Sequence, residues 1–183
     1  MLNTFVVYVE NKPGVLTRVA SLFRRRAFNI DSLTVGRTEK PEVSRMTITI
    51  DADHDQARRI EANLYKLVNV LLVENITTAP AIVRDLAMIK VAATHEARSH
   101  VLELASVFRA RVVDVAPESL IIEITGGEDK IDGLLEVLRP YGVLEMVRTG
   151  IVAMRRGNKS SAALSSPEEA EQAMTDDDLS QSV

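Results

Sequence analysis

Few side chains in this sequence suit catalysis. Cysteine is absent, which removes thiolate nucleophiles, disulfides and Cys-containing zinc sites. The three histidines are His54, His95 and His100. His95 and His100 are five apart, on different sides of a helix rather than in the i,i+4 pairing of zinc-binding helices. All three read as solvent-exposed. No nucleophile elbow, Walker A sequence, dinucleotide fingerprint or paired-acid motif appears. Gly126-Gly127 precedes a helix, but Glu128 beside it disfavours a phosphate. The run Arg24-Arg25-Arg26 has no aromatic interleaving and reads as a solvated helix end, where cations suit the helix dipole. Asp176 to Asp178 lacks the spaced ligands and turn glycine of a calcium loop. The expectation is a chain with no catalytic residue, no metal site and no cofactor of its own.

One stretch offers binding chemistry instead. In "ENKPGVLTRV", from residue 10, a strand turns sharply at Pro13-Gly14 into a helix. The helix start at Val15 and Leu16 presents free backbone N–H groups, and Gly14 lets a ligand approach them with no Cβ in the way. A carboxylate suits that position. The Asn11 amide can accept from an ammonium or donate to a carboxylate. Asn29 and Ile30 begin the next strand, which is expected near this first turn. The parts fit an α-amino acid. The plainer alternative is that Asn11 and Pro13-Gly14 only make the turn and cap the helix.

The elements that must hold this turn follow from hydrophobic period. Phe5, Val7 and Val9 alternate with Val6 and Tyr8, a strand over 3–10. Val15, Leu16, Val19, Leu22 and Phe23 stripe a helix. A strand over 30–37 follows, then the clearest strand, 43–51, where Met46, Ile48 and Ile50 alternate with Arg45, Thr47 and Thr49. Ala57, Ile60, Leu64 and Leu67 stripe a second helix, and 68–77 reads as a fourth strand. The order βαββαβ then repeats. It comprises a strand over 83–93, a helix striped by Val101, Leu104, Ala105 and Phe108, and a hairpin around Pro117-Glu118. A helix striped by Ile131, Leu134, Leu135 and Leu138 and a strand over 141–148 complete it, with 151–154 extending that strand.

The fold class is therefore α+β, two tandem ferredoxin-like βαββαβ domains over 1–78 and 79–157, joined near Pro80. Each has an antiparallel sheet with two helices on one face. The opposite face of the first sheet, carrying Val6 and Tyr8, is apolar. It is expected to pack either in a homo-oligomer or under the companion domain.

Composition sets the outer bounds. The 183 residues carry a net charge of −4. Residues 158–183 hold six carboxylates against Lys159, so the first 157 residues are close to neutral. That Ser-rich acidic tail is expected to be disordered, with a short helix from Pro167 as an option. Trp is absent and aromatics are scarce, which disfavours base-stacking platforms. No N-terminal signal and no apolar run near ~18 residues appears, so a soluble, cytoplasmic protein is expected.

The sequence is similar to the small, regulatory subunit of acetolactate synthase (acetohydroxyacid synthase), whose first half is an ACT domain. The resemblance rests on "ENKPGVLTRVASLFRRRAFNIDSLTVG" (10–36), "SRMTITI" (44–50) and "LYKLVNVLLV" (64–73). It continues through "RDLAMIKV" (84–91), "FRARVVDVAPESLIIEITG" (108–126) and "VRTGIVAMRRG" (147–157). The acidic tail departs from that core. The resemblance implies a subunit with no active site that associates with a catalytic large subunit. The partner uses thiamine diphosphate, a divalent metal such as Mg and FAD to condense two pyruvates, or pyruvate and 2-ketobutyrate. The small subunit raises that activity and confers feedback inhibition, commonly by valine. ACT domains of the family pair, and the effector binds at their shared interface. On this sequence the resemblance assigns the effector loop to Asn11, Gly14 and the backbone of Val15 and Leu16. It assigns Asn29 and Ile30 to the segment facing that loop across the homodimer. Two rivals are a free-standing amino-acid-sensing ACT protein with another partner, and an enzyme in its own right.

Overall fold

The computed structural model describes residues 1–157. The acidic tail and its optional helix lie outside them. The elements run β1 (Leu2–Glu10), α1 (Val15–Arg25), β2 (Ile30–Arg37), β3 (Val43–Asp51), α2 (His54–Leu64) and β4 (Val70–Asn75). The second half runs β5 (Ala81–Ala92), α3 (Arg98–Val107), β6 (Arg111–Val115), β7 (Ser119–Gly126), α4 (Glu128–Leu138), β8 (Val143–Arg148) and β9 (Val152–Arg155). The first sheet has strand order β2-β3-β1-β4, and the second β6-β7-β5-β8, the same order once its own strands are counted from one. All pairs are antiparallel. The two tandem ferredoxin-like units expected from the hydrophobic period are both present.

Each unit buries its helical stripes on one sheet face. Val15, Val19, Leu22 and Phe23 of α1 and Ala57, Ile60 and Leu64 of α2 join Phe5, Val7, Met46, Ile48 and Ile50 in the first core. Val101 and Ala105 of α3 and Ile131, Leu134 and Leu138 of α4 join Ala87, Ile89, Leu120 and Ile122 in the second. Burial of such branched side chains contributes roughly 1.5–3 kcal/mol each.

Local signals close the helices. Asp53 and Gln56 form a capping box at the start of α2: each side chain accepts from the other's backbone N–H, at 2.8 and 2.9 Å. α1 and α3 end alike. Phe28 N donates to Phe23 O and Ala27 N to Arg24 O, and Ala110 N donates to Ala105 O and Arg109 N to Ser106 O. This is the Schellman pattern, with Ala27 (φ 55°) and Arg109 (φ 53°) in the left-handed position where glycine is usual. Arg26 donates to Asn63 Oδ1 at 2.9 Å, so one member of the arginine run ties α1 to α2. His54, His95 and His100 are exposed, but His95 sits in the turn before α3 rather than on the helix.

The apolar outer face of the first sheet is covered within the chain. The first residues of β5 pair with β9, Ala81 to Arg155 and Arg84 to Val152, and this ribbon lies across β1, β3 and β4. Val6, Tyr8, Val43, Ile76 and Ala153 form a third core there. Of the two expected covers, the companion half of the chain supplies this one, and the homo-oligomer is not needed for it. β9 continues along β5 from β8, as expected, but Thr149, Gly150 and Ile151 interrupt it. Gly150 (φ +87°) packs onto β2 so closely that a Cβ would stand 2.6 Å from Ser32 Oγ and 3.0 Å from Thr34 Oγ1. Only glycine meets both demands.

Candidate functional site

The β1–α1 turn is held from below. Asn11 N donates to Glu42 O at 2.7 Å and its side-chain Nδ2 to Pro41 O at 2.9 Å, which fixes the amide against the β2–β3 loop. Gly14 caps α1 at φ 82° with no side-chain hydrogen bond to the first-turn amides and no acidic residue among them. The Gly14 carbonyl accepts from Arg18 N at 3.1 Å, so the helix begins there. A Cβ on Gly14 would meet nothing within 4 Å, so the space over the turn is open. Val15 N donates to Lys12 O at a long 3.4 Å; no side chain caps the first-turn N–H groups, and a helix dipole there favours an anion.

Val15 is buried in the first core, so only its backbone faces the turn. Leu16 is 43% exposed and stands beside it. Asn11 is exposed as well.

A network unforeseen from the sequence braces the turn. Asn69 Nδ2 donates to Glu10 Oε2, Lys12 Nζ donates to Glu10 Oε1 at 3.0 Å, and an Arg18 guanidinium N–H donates to Asn69 Oδ1. The Asn69 hydrogen bond, followed by that of Lys12, holds the Glu10 carboxyl below its ordinary pKa. Asn69 lies 59 residues from Glu10, and no local pattern announces such a pair.

Asn29 and Ile30 are elsewhere. Ile30 pairs with Ile50, which pairs with Asn3 at the start of β1, whereas the turn follows Glu10 at its end. Strand rise puts these sites about 20 Å apart. The expectation that Asn29 lies near the first turn of its own chain is therefore corrected: β2 runs parallel to β1 and starts beside the far end of α1. Asn29 is exposed, and Ile30 is half-buried against the first core. Within one chain, Asn11, Gly14, Val15 and Leu16 come together, and Asn29 and Ile30 do not join them. β2 is also an edge strand of its sheet.

Among the described residues no group of His, Asp or Glu could hold a metal ion, and no helix is long and apolar enough to cross a membrane.

Comparison with known proteins covers the same two halves. Residues 5–72 match the family model "AHAS small subunit-like ACT domain", and residues 84–157 match "Small subunit of acetolactate synthase". A protein of Archaeoglobus fulgidus named "Probable acetolactate synthase small subunit" is 50% identical over 87% of this chain and 99% of its own. The acetolactate synthase small subunit of Mycobacterium bovis is 47% identical over 85% of this chain and 92% of its own. The crystal structure of the acetolactate synthase small subunit from Thermotoga maritima superposes with a TM-score of 0.81. It is 41% identical and covers 86% of this chain and 99% of that one. With both halves matched at this identity, the chain belongs to the acetolactate synthase small-subunit family.

Proposed function

We propose that this protein activates the catalytic large subunit of an acetolactate synthase and makes it answer to a branched-chain amino acid, valine foremost. The observation that carries the effector reading is the open, uncapped helix start at Gly14, with no acid in its first turn. The valine carboxylate takes the N–H groups of Val15 and Leu16, and its ammonium takes amide oxygens of Asn11 and Asn29. The isopropyl group lies against Leu16 and Ile30.

The two ends of β1 enter one site only if two copies contribute. β2 is an edge strand, and antiparallel pairing of two β2 edges across a twofold sets the Asn29 end of one copy against the turn end of the other. Valine then binds between two ACT domains of a homodimer. Its occupancy biases their relative orientation, and so shifts the holoenzyme in proportion to its differential affinity for two arrangements. Thiamine diphosphate, Mg and FAD belong to the catalytic partner, and the assembly works in the cytoplasm.

The test is acetolactate formation by the cognate catalytic subunit, with and without this protein, across a valine titration. Stimulation that valine reverses is the expected result. No stimulation and no valine effect, from a folded protein that binds an amino acid by calorimetry, would replace this reading with an amino-acid sensor for a different partner.

A further inference from the structure

The two helix layers share one topology but not one charge. Around α1 and α2, residues 15–26 and 54–66 carry seven basic side chains against Asp55 and Glu61, and α1 holds no acid at all. Around α3 and α4, residues 98–109 and 128–139 carry four basic side chains against five acidic ones. The same architecture is therefore built without a basic surplus in the second half, so packing does not account for the surplus in the first.

The surplus converges in space. Arg26 donates to Asn63 Oδ1 at 2.9 Å, and Asn63 Nδ2 donates in turn to Arg59 O, so the end of α1 lies directly against the Arg58–Arg59 stretch of α2. Arg24, Arg25, Arg58 and Arg59 are exposed. Among the described residues none of these four side chains enters an ion pair or a hydrogen bond. Asp55 shares a groove on α2 with Arg58 and Arg59, but its ion-pair neighbour is His54. Four guanidinium groups set together without a counter-charge repel one another and raise a positive potential over this face. One exposed ion pair relieves little of that. A polyanion that meets several of them relieves more, and above all one tethered to the same chain, whose effective concentration is on the order of millimolar.

The chain supplies such a polyanion. Glu168, Glu169, Glu171 and Asp176 to Asp178 follow one another with no basic residue between them, and Lys159 is the one cation after Gly157. Gly157 lies on the outer face of the first sheet, in a cleft shared with Tyr8 and Arg37 towards the turn end of β1. That nearer cleft suits the acids less: its own Glu39 and Glu74 offset two of its three arginines, and Arg155 already stands 4.0 Å from Glu74. The route from Gly157 to Arg24 and Arg58 crosses one sheet, one helix layer and the length of α1, roughly 35 Å. The carboxylates stand 11 to 21 residues past Gly157, a contour reach of about 36 to 70 Å. We propose that the helix face of the first domain, centred on Arg24, Arg25, Arg58 and Arg59, is the docking surface for the chain's own acidic segment, residues 168–178. It lies at the far end of α1 from the Gly14 turn and does not rest on the effector reading.

The test uses the full chain. Cysteine is absent, so Ser180→Cys places a single nitroxide just past Asp178. The 15N-labelled, nitroxide-bearing chain is diluted into an excess of unlabelled chain, so that only contacts within one chain are read. The amides of Arg24 to Ala27 and Arg58 to Ala62 are expected to lose intensity relative to the reduced nitroxide, while those of α3 and α4 keep theirs. The loss should vanish at about 0.5 M salt, where the Debye length falls to about 4 Å. Two double variants, Arg24→Gln with Arg25→Gln and Arg58→Gln with Arg59→Gln, remove only unpaired surface charges from helices that glutamine suits. Both should fold normally and restore part of the intensity. Four results overturn the proposal: no loss at α1 and α2, equal loss over both domains, loss centred on Tyr8 and Arg37 beside the exit, or loss that survives salt and both double variants. Loss seen only without dilution would also overturn it, and would assign the face to the tail of a second copy.

Discussion

At the scale of single residues, Gly14 carries two roles that one substitution separates. Its φ of +82° favours glycine, yet its Cβ position is empty. Asp tolerates the left-handed region better than most residues, so Gly14→Asp should cost only about 1 kcal/mol of stability. It also sets a negative charge where the proposed effector carboxylate sits. The expected outcome is a folded, activating subunit that ignores valine, read in the same acetolactate assay; full valine sensitivity would remove Gly14 from the site. On the proposed two-copy site, where Asn29 enters from the second copy, Asn29→His should also weaken the valine response.

Glu10 makes a pH prediction. Its carboxyl pKa is lowered, chiefly by the Asn69 hydrogen bond. A lowered carboxyl stabilises the fold above its unfolded value and loses that contribution as pH falls through its folded value. The turn should therefore stay braced at neutral pH and loosen below the ordinary carboxylate range, about pH 4. The Asn69 side-chain amide resonance should report this transition, and Glu10→Gln should abolish it. The polar turn itself was legible in "ENKPG". Its bracing by Asn69 and Arg18 was not, because those partners meet only when β4's approach folds against β1.

At the scale of elements, periodicity located all four helices and the main strands, since a stripe of apolar residues must find one core whatever the details. Helix ends were less legible. α1 and α3 both close with a Schellman motif whose left-handed residue is not glycine. The Arg24–Arg26 run marked the end of α1, but no glycine marked the left-handed residues at Ala27 and Arg109. Each non-glycine residue there adds strain that glycine would not. Ala27→Gly and Arg109→Gly should therefore raise stability by roughly 0.5–1 kcal/mol each, after the larger unfolded-state entropy of glycine. Urea midpoints at unchanged slope would measure it. At the other end, Asp53→Ala removes half of the α2 capping box and should cost about 1 kcal/mol.

At the scale of the whole molecule, the two halves are joined by covering as well as by connection. Thr47 and Thr49 alternate correctly as the outward side of β3, yet both are buried, because the second half lies over them. Arg45 reaches across the same surface. It donates to Ala153 O and Thr47 Oγ1, and its guanidinium stands 5.6 Å from the Tyr8 ring centroid. Gly150→Ala tests the junction. The new Cβ strains the backbone and strikes Ser32, so the protein should lose about 1–3 kcal/mol by thermal unfolding, with the helices of each half intact by circular dichroism. An isolated 1–78 fragment, stripped of the β5–β9 ribbon, should expose Val6, Tyr8 and Ile76 and associate by sedimentation beyond the dimer proposed for the full chain.

The sequence alone determined the two βαββαβ units, the apolar stripes that build their cores, the polar turn at Asn11–Gly14 and the resemblance that comparison then bore out. Each of these is written in neighbours a few residues apart, or in a repeat of that local order. Tertiary structure decided three further matters. It separated Asn29 from the turn, because strand direction sets which ends meet. It chose the second half, over another copy, to cover Val6 and Tyr8. It also brought Arg58 and Arg59 beside the Arg24–Arg26 run. All three depend on pairings between residues far apart in the chain, which closure of the sheets selects and no local spacing encodes.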